Sequence, residues 1–226
     1  MKIWSDEIMA INIPGLVELT VKDIDGVTEL FMDAFQEYPK LDAAFPEKEK
    51  KMAALEATIR YYGAYDLKFG KGYSLDKQLN DAVLIVESDQ MNYSFFRHLR
   101  AGSYSKKYKQ VMKTLDKDDQ RKRVEMFKEL DTMERALEFP MPHLFLDFLG
   151  VRTVLQGQGK GRRLMDHVCD YANKVELPII LFTNTEADIK FYKSLGFEIP
   201  WETHSDKFKF TNWYMVRYPE LPLQTT

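Results

Sequence analysis

The stretch "VLQGQGKGRRLMDHV" (154–168) places Gly157, Gly159 and Gly161 within five positions and then runs directly into an amphipathic pattern. Glycine is the poorest ordinary helix former, costing about 1 kcal/mol against alanine in a helix interior. Glycines gathered where a helix opens imply a turn that needs positive φ, or a backbone that must approach something closely. The residues before them, His143 to Val151, are rich in Leu and Phe and read as a strand. Strand, glycine turn and helix together aim free N–H groups and the positive helix end at one point, where an anion is stabilised.

Two common anion-binding patterns do not fit this turn. A nucleotide P-loop needs two glycines five apart, then Lys and Ser/Thr; here Val154 stands five before Gly159, and Lys160 is followed by Gly161. The dinucleotide fingerprint G-x-G-x-x-G is met by Gly157 and Gly159 but has Arg162 at its third position. "QGQGKG" (156–161) matches instead the Q/R-x-x-G-x-G/A signature, and here the chain resembles the GNAT superfamily of acyl-CoA-dependent N-acyltransferases. The resemblance continues through "HLFLDFLGV" (143–151), similar to that superfamily's fourth strand. "ADIKFYKSLGFE" (187–198) is similar to its F-Y-x-x-x-G-F segment, and "WYMVRY" (213–218) to its closing strand.

The resemblance implies a mixed α/β fold of the α+β kind. A central, mainly antiparallel sheet would be splayed between its fourth and fifth strands and flanked by helices. It implies acetyl-CoA as acyl donor, and no metal. Backbone amides across Gln158, Gly159, Lys160, Gly161 and Arg162, in the turn that Gln156 and Gly157 open, would hold the pyrophosphate, with side-chain charge from Lys160, Arg162 and Arg163. Backbone groups of Leu149 and Val151 would bind the pantetheine arm, with Gly150 permitting a local bulge. Asp188 occupies the place of a CoA-contacting asparagine, although as a carboxylate it can equally cap a helix. Tyr192 takes the position of the proton donor to the departing thiolate. Asp147 is the best match for the general base, the alternative being an ordinary ion-paired carboxylate.

The chemistry asks for such groups. A lysine-like amine with a pKa near ~10.4 has about one molecule in 10³ unprotonated at pH 7, and a tyrosine near ~10 keeps its proton there. By period-two spacing His143, Phe145, Asp147, Leu149 and Val151 share a strand face, with His143 expected at the surface. Ala187, Phe191 and Leu195 supply a core stripe and leave Tyr192 and Asp188 on a neighbouring helix face. The single Cys169 lies in an ordinary helical pattern and reads as a small core residue.

Farther out, residues 16–24 alternate as a strand and 26–36 carry helical spacing. Residues 38–47 hold two prolines and read as a loop. A long helix is expected over 48–69, with Met52, Leu55, Ile59 and Tyr62 on one stripe. Strands follow at 70–76 and 81–88. From about 91 to 139 alternating charges predict two or three helices inserted in the fold. After the glycine turn come a helix to about Lys174, a covered strand at 177–183, and a helix at 185–196. That helix would start on a capping box of Thr185 and Asp188. Two closing strands, 197–204 and 207–218, complete a single acyltransferase domain over 1–226.

Composition sets the outer limits. The chain of 226 residues is 45% hydrophobic, with a net charge of −3 and a pI near 5.9, which argues against a nucleic-acid binder. No leader pattern and no apolar run of membrane-spanning length is present, so a soluble cytoplasmic protein is expected, with no membrane partner. The reading is an N-acetyltransferase acting on a small-molecule amine. A protein N-acetyltransferase and a non-catalytic acyl-CoA-binding or regulatory module stand as alternatives. Tyr93, Phe95, Phe96, Leu99, Tyr104 and Tyr108 in the helical block would line the acceptor pocket, or else dock the block on the sheet or on a second copy in a homodimer.

Overall fold

The computed structural model describes residues 11–220. Its strands are β1 (Val17–Leu19), β2 (Lys71–Ser74), β3 (Asp81–Glu87), β4 (Leu144–Val151), β5 (Ile179–Thr183), β6 (Glu198–Ser205) and β7 (Phe210–Arg217). They form one sheet in the order β1-β2-β3-β4-β5-β7-β6, antiparallel throughout except between β4 and β5. The helices are α1 (Ile24–Ala34), α2 (Lys48–Phe69), α3 (Phe95–Ala101), α4 (Lys106–Met112), α5 (Lys117–Arg135), α6 (Lys160–Val175) and α7 (Glu186–Lys193). No helix among the described residues is long and apolar enough to cross a membrane.

Two apolar layers hold the sheet. On one face Leu164, Met165, Val168 and Ala172 of α6 pack on Val83, Ile85, Leu144, Leu146 and Met215. On the other, Leu30 and Phe31 of α1 and Leu55 and Ile59 of α2 cover Ala82 and Leu84. Helix α2 fills the span 48–69 read from its apolar stripe, yet it is buried on more than that stripe, including Tyr65 and Asp66. The helical block explains this: α3 and α4 pack against the side of α2 that the sheet leaves open. Asp116 caps α5, accepting from the N–H groups of Asp118 and Asp119, as expected of a side-chain oxygen at that position.

Local chemistry corrects three sequence expectations. The strand expected over 16–24 ends at Leu19, because Thr20 and Asp23 close a capping box that starts a helical turn. The period-two face of β4 is broken at Asp147. Leu84 pairs with Phe148 and Ile85 with Leu146, so Asp147 is the extra residue of a β-bulge. Phe145 and Asp147 therefore face α2, while Leu149 and Val151 face α6. The bulge expected at Gly150 lies three residues earlier, and Gly150 serves a different need. A Cβ there would stand 2.7 Å from the buried Phe31 ring, so its missing side chain lets α1 lie flat on β4. The third correction is at α7. Thr185 caps the helix by accepting from the N–H of Asp188, but the Asp188 carboxylate accepts from the Thr183 hydroxyl, so the box is half formed.

Phe31 is stacked on Phe35 and Phe148 and cannot yield. Gly150→Ala should therefore cost about 1–3 kcal/mol of stability by overpacking. Urea unfolding checks this, and an unchanged midpoint would show that the contact is not tight.

Candidate active site

The parallel β4–β5 pair is short. It holds only at Leu144 with Ile179 and Phe145 with Ile180, after which the strands diverge. Beyond Phe145, β4 has no strand neighbour on its β5 side, and the gap opens into a cavity of about 1320 Å³. Asp147 and Leu149 line it from β4, Thr183 from the end of β5, and Asp188 and Tyr192 from α7. Tyr62 of α2 and Phe127 of α5 form its far wall.

The glycine turn follows the end of β4 and opens α6. Gly157 and Gly159 have φ of +75° and +77°, and a Cβ on either would meet open space. Gly159 is the N-cap of α6 and supplies no side-chain acceptor, so the first amides of the helix are left to an outside anion. The neighbouring side chains are mostly engaged. The Lys160 ammonium lies 3.3 Å from both Asp76 and the fully buried Asp81, tying α6 to the β2–β3 turn rather than offering a free charge. Gln156 donates to the Val151 carbonyl (3.1 Å), Gln158 to the Val154 carbonyl (3.4 Å), and Arg162 to Ser194. What remains open at this turn is backbone.

Deeper in the cavity two carboxyls meet. Asp66, in the last turn of α2, is completely buried, and neither of its oxygens finds an N–H or O–H partner among the described residues. Its neighbour is the Asp147 carboxyl. Two carboxyl groups can bond only if one holds a proton. Burial, and then the charge of Asp147, raise Asp66 well above the usual carboxylate range, so Asp66 is the proton holder. Burial raises Asp147 to about 6, against the hydrogen bond from Asp66 and the positive charge of Lys40. Lys40 sits 4.2 Å above the Phe182 ring, lowered to about 8 chiefly by burial. Glu134 of α5 is raised to about 7, again by burial first and by Asp147 second.

Tyr192 joins the core and also lines the cavity. Its ring is buried between Phe191 and Phe197, and its hydroxyl has no hydrogen-bond partner among the described residues. Burial, and then the charge of Asp188, keep it protonated well above neutral pH. Cys169 is a buried core residue. His143, expected at the surface, is 3% exposed, with Nδ1 2.8 Å from the Pro140 carbonyl. Tyr93, Tyr104 and Tyr108 line the cavity, but Phe95, Phe96 and Leu99 are largely exposed and take no part. On two seven-residue helices and the turns beside them, the aromatic count alone does not reveal which rings turn inward.

The GNAT acetyltransferase domain family matches residues 119–199. No curated protein matches the chain. Among solved structures, histone acetyltransferase HPA2 and related acetyltransferase from Corynebacterium glutamicum superposes with a TM-score of 0.57 at 15% identity, covering 94% of this chain and 99% of that one. Arylalkylamine N-acetyltransferase 2 from Aedes aegypti gives 0.58 at 13% identity, covering 91% and 98%. The ribosomal-protein-S18-alanine N-acetyltransferase of Escherichia coli gives 0.52 at 12%, covering 93% and 97%. This is a GNAT fold.

Within the GNAT fold, Asp147 and Tyr192 read from the sequence line one cavity, and the glycine turn lies beside the end of β4, where Gly161 faces Val151 and Phe191. Asp66, Lys40 and Glu134 were missed. Asp66 did leave a signal: it continues the stripe Leu55, Ile59, Tyr62 by four residues, so an acid stood where only an apolar residue should.

The raised carboxyl carries a stability consequence. Asp147 titrates at about 6 when folded against 3.8 as its reference value. The folded state therefore binds more protons between these limits, and stability falls as pH rises through the window. Asp147→Asn, which removes that ionisation, should raise Tm at pH 8 more than at pH 4. Equal increments at the two pH values would contradict the raised carboxyl.

Proposed function

We propose that this protein transfers an acetyl group from acetyl-CoA to the amine of a small molecule. The observation that carries the reading is that Asp147, at a bulge on the free side of β4, and Tyr192, across the splay on α7, line one cavity. The residues fit the donor: an uncapped helix start, glycines with open space above them, and a strand edge lacking a neighbour suit a pyrophosphate followed by an amide-bearing arm. The turn holds the donor through Gln158 to Arg162, with Leu149 and Val151 along its arm. Helices α4 and α5, with Tyr93, Ser94 and Tyr104 on either side of α3, wall the acceptor side, which favours a compact acceptor over a folded protein.

Each residue has a defined task. The tyrosines and acids of the cavity receive the acceptor as an ammonium ion. Asp147 takes its proton, and the freed lone pair attacks the thioester carbonyl carbon. As the C–S bond breaks, Tyr192 gives its proton to the sulfur, and the tyrosinate so formed takes the surplus proton from the newly acylated nitrogen. Asp66 stays protonated and orients Asp147. A carboxylate near 6 is a good compromise at neutral pH, being ionised yet more basic than an exposed acid.

Thiol release from acetyl-CoA with a panel of amines tests the activity. With the acceptor binding as ammonium, kcat/KM should rise with pH through a limb near 6. Asp66→Ala should move that limb upward, because the hydrogen bond holding Asp147 down is gone. A profile flat from pH 5 to 7.5 in the wild type would remove Asp147 from the role of base.

The donor site has its own check. Gly159→Asp puts a side chain and a negative charge at a +77° φ position beside the open amides. Calorimetry should show CoA binding lost in the folded variant, and equal affinity would place the donor elsewhere.

A further inference from the structure

The far end of the cavity holds a cation that no described carboxylate neutralises. Arg123 of α5 is 7% exposed and lines the cavity. Its Nε has no partner among the described residues, Nη2 gives only a long hydrogen bond to Thr58 (3.4 Å), and the guanidinium lies over the Phe127 ring at 4.9 Å. None of its salt-bridge distances to a described carboxylate falls within 4 Å. The acid one turn earlier, Asp119, is held by Lys50 at 2.9 Å and Lys122 at 3.4 Å. A buried, unpaired guanidinium is costly unless an anion completes it.

The two helices set out the cavity's polarity. Along α2, Thr58, Tyr62 and Asp66 recur at one-turn intervals. Thr58 meets Arg123, the Tyr62 ring meets Phe127 (5.5 Å), and Asp66 meets Asp147. Farther along α5, Glu134 lies within electrostatic reach of Asp147 and Lys40. One end thus carries three acids, Asp66, Asp147 and Glu134, against one lysine, the middle is aromatic, and the other end is Arg123. Eight residues of helix separate Thr58 from Asp66, a rise of about 12 Å.

We propose that Arg123 binds an anionic group of the acceptor, so that the substrate is an amine bearing a carboxylate or similar anion near the opposite end of an extended chain. This rests on the acetyl-transfer reading only for which end reacts: the amine belongs at the Asp66–Asp147 end, and the anion at Arg123. A guanidinium pairs with a planar carboxylate through two hydrogen bonds, a geometry lysine cannot reproduce.

A matched pair of acceptors tests the proposal. 8-Aminooctanoate and octylamine share the amine and the chain length and differ in the carboxylate. Each is measured by thiol release with acetyl-CoA and, independently of turnover, by calorimetric binding. The wild type should favour 8-aminooctanoate by about tenfold or more, the worth of a hydrogen-bonded ion pair. Arg123→Met should erase that ratio, and Arg123→Lys should restore part of it. Because each ratio is internal to one protein sample, loss of folded material does not imitate the effect. Carboxylate-dependent binding without any thiol release would uphold Arg123's role while overturning acetyl transfer. Octylamine bound or acetylated as well as 8-aminooctanoate by the wild type, or no binding of either, would overturn the proposal.

Discussion

Everything in the candidate site depends on how soon two parallel strands part company. Had β4 and β5 continued to pair, their backbone groups would be mutually satisfied and the sheet would be closed. Pairing stops after Phe145 and Ile180, and the next six residues of β4 have a strand on one side only. Buried backbone N–H and C=O groups need partners, so a gap of this kind is stable only if solvent or a ligand enters it. The bulge at Asp147 falls just past the point of divergence. It turns an acid toward α2 while returning Leu149 and Val151 to the α6 face. One extra residue therefore separates the chemistry of the strand from its packing.

The second constraint is electrostatic. Asp66, Asp147 and Glu134 share a poorly solvated space with one lysine. Such a cluster opposes folding at neutral pH, and it survives because the aromatic and aliphatic layers around it are extensive. Sites of this kind are where a protein sacrifices stability for reactivity. The proton retained by Asp66 lowers the penalty, since a neutral acid bonded to an ionised one is better tolerated than two facing charges.

The sequence made the framework legible and the acceptor side much less so. The glycine turn, the α2 boundaries and the covered strand β5 could be read because each is a local pattern: positive-φ glycines, a 3.6-residue stripe, an unbroken apolar run. The β4 bulge could not, since period-two counting assumes that no residue is skipped, and the displacement is decided by the register with β3. Asp66 was hidden by its surroundings, being one of many charged residues on its helix. Phe96 and Tyr104 look alike in composition, but only Tyr104 turns toward α2, where its hydroxyl meets that of Tyr61. Arg123 sits in a run of alternating charges that reads as a solvated surface, and only tertiary packing against Thr58 distinguishes it from its neighbours.

The alignment of Thr58, Tyr62 and Asp66 on one face of α2 makes that helix a ruler. Its graduations are fixed by the backbone at about 5.4 Å per turn. A related chain seeking a shorter or longer ligand cannot adjust the spacing smoothly by helix geometry. It must shift a recognition residue by a whole turn, to the level of Tyr62 or one turn before Thr58, and the accessible ligand lengths would then be discrete, separated by gaps of several bonds. Divergence along this cavity would proceed by steps, each requiring a change on α2 and a matching one on α5.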